Sequence, residues 1–438
     1  MKDIISTQKI EKGMFVLELD RPWLETPFLL QGFLVEDDAQ VADLKKYCAT
    51  VTIDRSRSVG AHFVAEKKTD IRPHLQAGTQ KPVTSMQSVH EDFGAFLKSL
   101  REQPPGRRPD RKPPAISTVD HQSLLEEELV YSAPIVDDVK QKLQSIRESL
   151  DGNISGDIRE VVGLVSEMAE AVERNPDAMI WLARLRSTDE YSYDHAVDVS
   201  VHIMVLARFL GMPAKTVEML GQVGLMQDIG KINLPDSVLN KQEELTAKEL
   251  ALMQSHVASS LEILAGQHGF SFEALAIVGS HHERFDGSGY PRRIRGERIS
   301  LHAELAGLID CYCAMTRKRS YRAAVSNQQA LESLIGMRGT KFRAPIVDQL
   351  VQCLGLYPIG SLVELNSGEV GVVIQQNNVR RLKPRILVIL NPDKSVERRP
   401  RTLDLIMDPA TPTGELYRIV RSLPMNAYGI NPADFYLG

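Results

Sequence analysis

The sequence predicts a multidomain protein in which a small α+β domain comes first, an all-α helical bundle follows, and a short β-rich tail ends the chain. Three patterns support this fold class. Apolar residues recur at three- and four-residue spacing through most of 155–355, which is typical of packed helices. Beyond Gly355 the spacing becomes two, as it does in β-strands. Before residue 65, short apolar runs are separated by glycine and proline.

The length of 438 residues agrees with two to four domains of roughly 100 to 200 residues each. Composition and periodicity then place the boundaries. The predicted divisions are a small α+β N-terminal domain (1–65), a polar linker rich in proline and arginine (66–119), connecting helices (120–189), a second helical domain (190–355) and a β-rich C-terminal region (356–438). The boundary at 190 is set by the sequence motifs of the second helical domain rather than by periodicity.

The N-terminal domain is predicted from short apolar runs at Met14 to Leu19, Phe28 to Val35 and Val51 to Ile53, with a helix around Asp37 to Cys48. The linker contains the segment REQPPGRRPDRKPPAIST, whose prolines and charges favour an extended, solvated chain over a membrane or nucleic-acid contact. Helical periodicity then returns, and Pro134 predicts an interruption in the first connecting helix.

The helices of the bundle are predicted from apolar stripes in VVGLVSEMAEAV, AVDVSVHIMVLARFLGM, TVEMLGQVGLMQDIG and AELAGLIDCYCAM. The strands of the tail are predicted from SLVELNSGEVGVVIQQNN and RILVILNPD, which alternate in hydrophobicity and bend at glycine and asparagine. These elements account for the change from helix to strand near Gly355.

Charge and cysteine content limit the classes of function. With 52 Lys plus Arg against 57 Asp plus Glu, the formal net charge of -5 argues against an extended DNA or RNA footprint. The four cysteines are too few and too scattered for a disulfide framework. The sequence starts without a signal-peptide pattern and contains no apolar stretch of about 18 residues. We therefore expect a cytoplasmic protein that does not span a membrane.

Histidine and aspartate residues recur at the ends and inner faces of the predicted helices. Each one alone is more often a core or surface residue than a ligand. Together they are the imidazole and carboxylate ligands that first-row metals take from facing helices of a bundle. The set comprises His195, Asp228, His256, His281, His282 and Asp310.

The string HHERFDGSGYP places two adjacent histidines before a loop that Gly287, Gly289 and Pro291 force into a tight course. Consecutive helical residues point about 100° apart. His281 and His282 can therefore address one centre only at a helix terminus or across two ions, which favours a dinuclear site.

A lysine lies close to the expected metal ligands. Lys231 follows Asp228 by three residues, about one helical turn, which would place a cation beside the metals. A metal centre next to a lysine is suited to binding phosphate. The residues therefore indicate phosphate chemistry.

Four segments resemble the successive signatures of the HD-GYP domain, a bacterial branch of the HD metal-dependent phosphohydrolases that hydrolyses cyclic di-GMP. They are MQDIGKINLPDSVL, LNKQEELTAKELALMQSHV, SHHERFDGSGYPRRIRGERIS and LIDCYCAMTRKRSYRAAVS. The resemblance covers about 190–355 and implies an HD-type helical bundle. The segment LELDRPWLETPFLLQGF resembles the uncharacterised domain that commonly precedes HD-GYP in proteobacterial proteins.

The resemblance implies roles residue by residue. It implies metal ligation by the six residues of the set, with Asp228 bridging two ions. It also implies phosphate contact by Lys231, binding of phosphate and guanine by Arg319 and Arg322, and a pocket shaped by Gly289 and Tyr290. The expected cofactors are two divalent metal ions, iron or manganese first, with nickel, zinc and magnesium as alternatives.

This chain departs from the family pattern at Gln227, which stands where the family has the histidine of its HD pair. An amide oxygen is a weaker ligand than imidazole, so the ion expected at His195, Asp228 and Asp310 loses one strong donor. Some members with three metals carry a glutamate where this chain has Tyr191, and Glu190 is one residue off that place. We therefore expect two ions.

The expected activity is hydrolysis of cyclic di-GMP to linear pGpG by a hydroxide activated between two cations, and further cleavage to GMP stays open. The alternative is a catalytically degenerate HD-GYP protein that acts as a cyclic di-GMP receptor or an adaptor for a diguanylate cyclase (GGDEF) protein. The segment HHERFDGSGYP, which we call the GYP segment, is long, and its length argues against a phosphohydrolase that acts on a mononucleotide. The sequence leaves the oligomeric state open, a homodimer included.

Overall fold

A computed structural model describes residues 2–21, 26, 32–55, 57–63, 124–148, 154–185, 191–267, 269–317, 324–377, 382–423 and 427–429. The predicted linker, 66–119, lies outside the described residues.

The N-terminal part is an antiparallel sheet with one helix, which confirms the predicted α+β architecture. Its elements are β1 (Lys2–Ser6), β2 (Phe15–Leu19), β3 (Phe33–Leu34), α1 (Asp38–Tyr47) and β4 (Thr50–Asp54), and the strand order is β1-β4-β2-β3. The Asp37 carboxylate caps α1 by accepting the Gln40 N–H at 2.8 Å. Val16, Leu44 and Ile53 are buried in a small core of their own.

The helical part forms one large apolar core. Its helices are α2 (Leu125–Glu148), α3 (Ile154–Arg174), α4 (Pro176–Leu185), α5 (Tyr191–Phe209), α6 (Ala214–Met226), α7 (Asp236–Leu239), α8 (Ala247–Gln254), α9 (His256–Leu264), α10 (Phe272–Val278), α11 (Leu301–Thr316), α12 (Asn327–Gly336) and α13 (Ala344–Leu354). A short 3₁₀ helix, Ile229–Asn233, joins α6 to α7.

Two helices run through the centre of this bundle. Along α5 every residue from 194 to 207 is buried, and α11 is buried along most of its length. A helix with apolar residues around its whole circumference has to lie inside the protein. The Ser300 hydroxyl fixes the start of α11 by accepting the Ala303 N–H. Side chains on α5 and α11 can therefore meet only in the interior.

The predicted interruption at Pro134 is wrong, because α2 runs unbroken from Leu125 to Glu148. A proline inside a helix removes one hydrogen bond and costs about 3 kcal/mol. Its neighbours Ile135 and Val136 are 3% and 0% exposed in the main core. Burying each contributes roughly 1.5–3 kcal/mol, so the burial around Pro134 offsets its penalty.

The chain ends in an antiparallel sheet, as the period-two pattern predicted. Its strands are β5 (Leu362–Leu365), β6 (Val370–Gln375), β7 (Arg385–Leu390), β8 (Val396–Asp404) and β9 (Ile419–Leu423), in the order β8-β7-β6-β5-β9. Leu362 and Val372 belong to the helical core, whereas Val363 and Val373 belong to a second apolar cluster. Alternate residues thus cover both faces of the sheet.

The main core joins several of the predicted regions. Apolar residues of α2, α3 and α4 pack in the same core as those of α5, α6 and α9 to α13 and one face of the C-terminal sheet. The boundaries near 189 and 355 stay predictions. Among the helices that the structure describes, none has the length and apolar character needed to cross a membrane.

Candidate metal centre

Three of the predicted ligands form one group between α5, the segment after α6, and α11. The His195 Nε2 atom lies 2.8 Å from Asp310 Oδ1 and 3.9 Å from Asp228 Oδ2. His195 and Asp310 are 3% and 7% exposed. One ligand atom from each of the three residues lies within 4.8 Å of the others, so they could hold a single ion.

A second group shares Asp228 and adds His256, His281 and His282, again with ligand atoms within 4.8 Å of one another. The Asp228 Oδ1 atom lies 3.1 Å from His256 Nε2 and 3.8 Å from His281 Nε2. The two carboxylate oxygens of Asp228 therefore face different groups. This is the placement expected of a carboxylate that bridges two ions.

The second group has the chemistry of a cation site. The Nδ1 atoms of His256 and His281 each lie 2.6 Å from a backbone carbonyl, those of Met253 and Val278. A carbonyl can only accept, so Nδ1 carries the hydrogen and Nε2 presents a lone pair. These Nε2 atoms and Asp228 Oδ1 are buried without a hydrogen-bond partner among the described residues. Lone pairs facing one another in this way fit a divalent cation between them.

Charge favours the protonation states that metal ligation needs. Burial alone would raise the pKa of Asp228, but Lys231, 2.6 Å away, and the imidazoles of His256 and His281 hold it well below the usual value. Burial also opposes ionisation of Asp310, yet the His195 contact lowers its pKa. Ionised carboxylates are the form that binds a cation.

Burial and a neighbouring imidazole also change the pKa of His282. Burial first, and the neighbouring His281 second, lower the pKa of His282 well below its ordinary value. A neutral imidazole keeps the lone pair that a metal requires. Burial thus favours the ligand form of His282.

A close backbone contact fixes Asp228 next to His256. The Ser260 hydroxyl accepts the Gly230 N–H at 2.8 Å and donates to the Gln227 carbonyl, also at 2.8 Å. A Cβ atom added to Gly230 would lie 2.2 Å from the His256 carbonyl oxygen. Only glycine therefore lets the 3₁₀ segment lie against the start of α9.

The GYP segment packs directly on the histidines. The Tyr290 ring stacks on His282 with centroids 4.6 Å apart and meets His256 edge-on at 6.4 Å. A Cβ atom added to Gly289 would lie 2.4 Å from the His282 carbonyl oxygen. In the structure, Gly289 and Tyr290 thus pack against the histidines of the second group.

Two residues that sequence reasoning missed hold this region in place. The Glu283 carboxylate, 1% exposed, accepts the backbone N–H groups of Arg292 and Ile294 at 2.7 and 2.8 Å. A Cβ atom added to Gly307 on α11 would lie 2.2 Å from the His281 carbonyl oxygen. A charged residue inside HHERFDGSGYP was a signal for Glu283, but no sequence signal marked Gly307.

Gln227 is 1% exposed and ends α6 directly before Asp228. Its amide nitrogen and oxygen have no hydrogen-bond partner in the described part of the chain. A buried amide without partners is costly. The weakened ion at His195, Asp228 and Asp310 stays a prediction.

A cleft with a cavity volume of about 80 Å³ opens beside the first group. Its wall includes Leu143, Tyr193, His195, Asp228, Lys231 and Leu239. The lining thus combines charged side chains with apolar ones, as ligand pockets commonly do. Lys231 lines this cleft next to Asp228.

Glu190 and the side chain of Tyr191 lie outside the described residues, and so do two predicted site residues, Arg319 and Arg322. Their assigned roles stay predictions.

Comparison with known families supports what the geometry indicates. Residues 169–345 match the HD domain family, and this range includes every residue of the two groups. Residues 3–174 match a domain of unknown function (DUF3391).

Curated relatives are named as cyclic dinucleotide phosphodiesterases. A cyclic di-GMP phosphodiesterase of Pseudomonas aeruginosa is 30% identical over 432 residues, covering 98% of this chain and 94% of the relative. A 3′3′-cGAMP-specific phosphodiesterase of Vibrio cholerae is 33% identical over 202 residues, covering 46% and 36%. A cyclic di-GMP phosphodiesterase response regulator of Xanthomonas campestris is 32% identical over 191 residues, covering 43% and 50%. With similarity along nearly its whole length and both ligand groups inside the HD match, the chain belongs to the HD-GYP family of cyclic di-GMP phosphodiesterases.

Proposed function

We propose that this protein is a metal-dependent phosphodiesterase that hydrolyses cyclic di-GMP to linear pGpG. The observation that carries the proposal is Asp228, whose two carboxylate oxygens face two different groups of buried ligands while Lys231 lies 2.6 Å away. The names of the relatives, two of them cyclic di-GMP phosphodiesterases, support the same substrate.

Two divalent ions would occupy the two groups: one at His195, Asp228 and Asp310, and the other at Asp228, His256, His281 and His282. When bound, such ions lower the pKa of water and neutralise charge that develops on a phosphodiester. Iron or manganese suits this mixture of imidazole and carboxylate, and nickel, zinc and magnesium are the alternatives.

The remaining roles belong to side chains around the centre. Lys231, which is 24% exposed and lines the cleft, is proposed to attract a phosphate of the substrate. Tyr290 holds the His282 ring by stacking on it. Arg319 and Arg322 are proposed to hold the second phosphate and a guanine edge. The apolar side chains of Leu143 and Leu239, which line the cleft, are proposed to limit the access of water to the substrate.

The second candidate is a receptor that binds cyclic di-GMP without cleaving it. The buried, unpartnered amide of Gln227 favours this reading, because it stands where a strong ligand is expected. Against it, six other ligands are assembled in two compact groups. Cleavage onward to GMP, a diguanylate cyclase partner, a homodimer and a cytoplasmic location remain proposals.

The test is product analysis with the full-length protein. Purified protein is incubated with Mn²⁺ or Fe²⁺ and either cyclic di-GMP or 3′3′-cGAMP, and products are separated by chromatography. Release of pGpG supports the proposal. Binding of cyclic di-GMP without product identifies a receptor, and faster cleavage of 3′3′-cGAMP reassigns the substrate.

A further inference from the structure

A lysine from outside the HD signatures reaches the helix that carries His195. Lys140 lies on α2 and is 8% exposed, and its Nζ atom is 2.6 Å from Asp194 Oδ1. Asp194 is 1% exposed and directly precedes His195 on α5. A cation from α2 therefore balances the buried charge next to a proposed metal ligand.

The Asp194 carboxylate also contacts Arg317, the residue directly after α11. The Arg317 Nη1 atom lies 3.4 Å from Asp194 Oδ2, and Arg317 Nε donates to Asp198 Oδ2, one helical turn further along α5. Arg317 also donates to the Ala183 carbonyl at 3.2 Å. Lys140, Asp194, Asp198 and Arg317 form what we call the α2 charge network, which ties α2, α4, α5 and α11 together.

This network connects the two helices that carry His195 and Asp310 of the first ligand group. His195 is on α5 and Asp310 is on α11, and their side chains meet at 2.8 Å. Arg317 follows Asp310 by seven residues, so it clamps the same pair of helices about two turns away. A shift of α5 against α11 would therefore open the His195–Asp310 contact.

The helix α2 also forms part of the cleft wall. Leu143 follows Lys140 by three residues, so both lie on one face of the helix. Leu143 lines the cleft beside His195 and Asp228. All of α2 lies within the stretch that matches the domain of unknown function, 3–174.

We infer that α2 is part of the active site and that Lys140 is a positioning residue for the ion held by His195, Asp228 and Asp310. The inference rests on the proposed metal-dependent function. It assigns α2, one of the described helices of the domain of unknown function, a role in completing the catalytic centre. Groups that bond directly to metal ligands commonly influence metal affinity about 10- to 100-fold. Lys140 contacts Asp194, the neighbour of a ligand, so we expect the lower end of this range, about 10-fold.

The chain offers a matched control two residues away. Lys142 lies on the same helix and pairs with Glu160 at 2.5 Å, but its side chain is 36% exposed and does not belong to the α2 charge network. Lys140→Met and Lys142→Met remove the same charge from the same helix. If the loss of any positive charge from α2 were enough to weaken metal binding, both variants would bind the metal equally weakly.

The experiment is a Mn²⁺ titration of full-length, chelator-treated protein, followed by calorimetry. Wild type should bind two ions of different affinity. Lys140→Met should weaken one of them about 10-fold and leave the other unchanged. Lys142→Met should leave both unchanged. Lys140→Arg, which restores the cation, should recover most of the lost affinity.

Three results would overturn the inference: a folded Lys140→Met protein that binds Mn²⁺ as Lys142→Met does, equal weakening of both ions, or a wild type that binds a single ion. Circular dichroism establishes folding. If Lys140→Met does not fold, Lys140→Gln keeps an N–H donor for Asp194 and is judged by the same criteria. A wild type that binds two ions but releases no pGpG defeats the proposed function and leaves this test intact.

Discussion

Replacing Gly230 with alanine tests how closely the metal centre depends on backbone packing. The added Cβ atom would lie 2.2 Å from the His256 carbonyl oxygen and 2.4 Å from the Ser260 nitrogen. Both atoms belong to the backbone of α9, so no side-chain rotation can relieve the collision.

The size of the effect follows from these distances. Ordinary contact begins near 3.4 Å, so Gly230 and His256 must separate by about 1.2 Å. Asp228 and His256 now lie 3.1 Å apart and belong to the two segments that would separate. A misplacement of about 1 Å can reduce a catalytic rate about 100-fold. Overpacking of this kind also lowers the free energy of unfolding by about 1–3 kcal/mol.

The assay combines metal content by elemental analysis, thermal unfolding and the initial rate of pGpG release. Gly163→Ala is the control, because Gly163 lies inside α3 and a Cβ atom there meets nothing within 4 Å. That control should be neutral or gain roughly 0.5–1 kcal/mol in unfolding free energy, with an unchanged rate. A folded Gly230→Ala protein with wild-type metal content and rate would refute the reasoning.

Three further variants test individual side chains. Asp228→Ala should lose both ions and all activity, because both ligand groups share this carboxylate; equal metal content in mutant and wild type, by elemental analysis, would contradict it. Arg319→Ala should raise KM for cyclic di-GMP at unchanged metal content, and unaltered affinity in a calorimetric titration would return Arg319 to a solvated surface role. Gln227→His should lower the Mn²⁺ concentration for half-maximal turnover, and an unchanged metal dependence would show that Gln227 does not limit ion binding.

Apolar periodicity predicted most of the helices and strands. It could not predict where tertiary packing would tolerate a proline inside one of them. The alternating strands β5, β6 and β7 follow directly from their apolar pattern. The strand β8 reads VERRPRTLD, which carries charges and Pro400. It lies at the edge of the sheet, where an unpaired backbone N–H and a proline are tolerated. Pro134 was misjudged because burial on both sides of it depends on tertiary packing.

The candidate site was likewise predictable only in part from the sequence. The clustered histidines and aspartates were identified because HHERFDGSGYP and its companion segments carry a specific resemblance. The contact between Lys140 and Asp194 joins residues 54 apart in sequence and has no local signal. Gly230 could be read only as a turn or helix-end residue until the structure placed it against the His256 carbonyl.

The central claim is that this HD-GYP protein cleaves cyclic di-GMP with metal ions held at two groups that share Asp228. The most direct measurement is the initial rate of pGpG release by wild type across a Mn²⁺ titration, begun from chelator-treated protein. We expect no product without metal and a rate that rises with Mn²⁺ to a plateau as the group of His195, Asp228 and Asp310 fills. Absence of pGpG at every Mn²⁺ concentration, while cyclic di-GMP still binds, would contradict it.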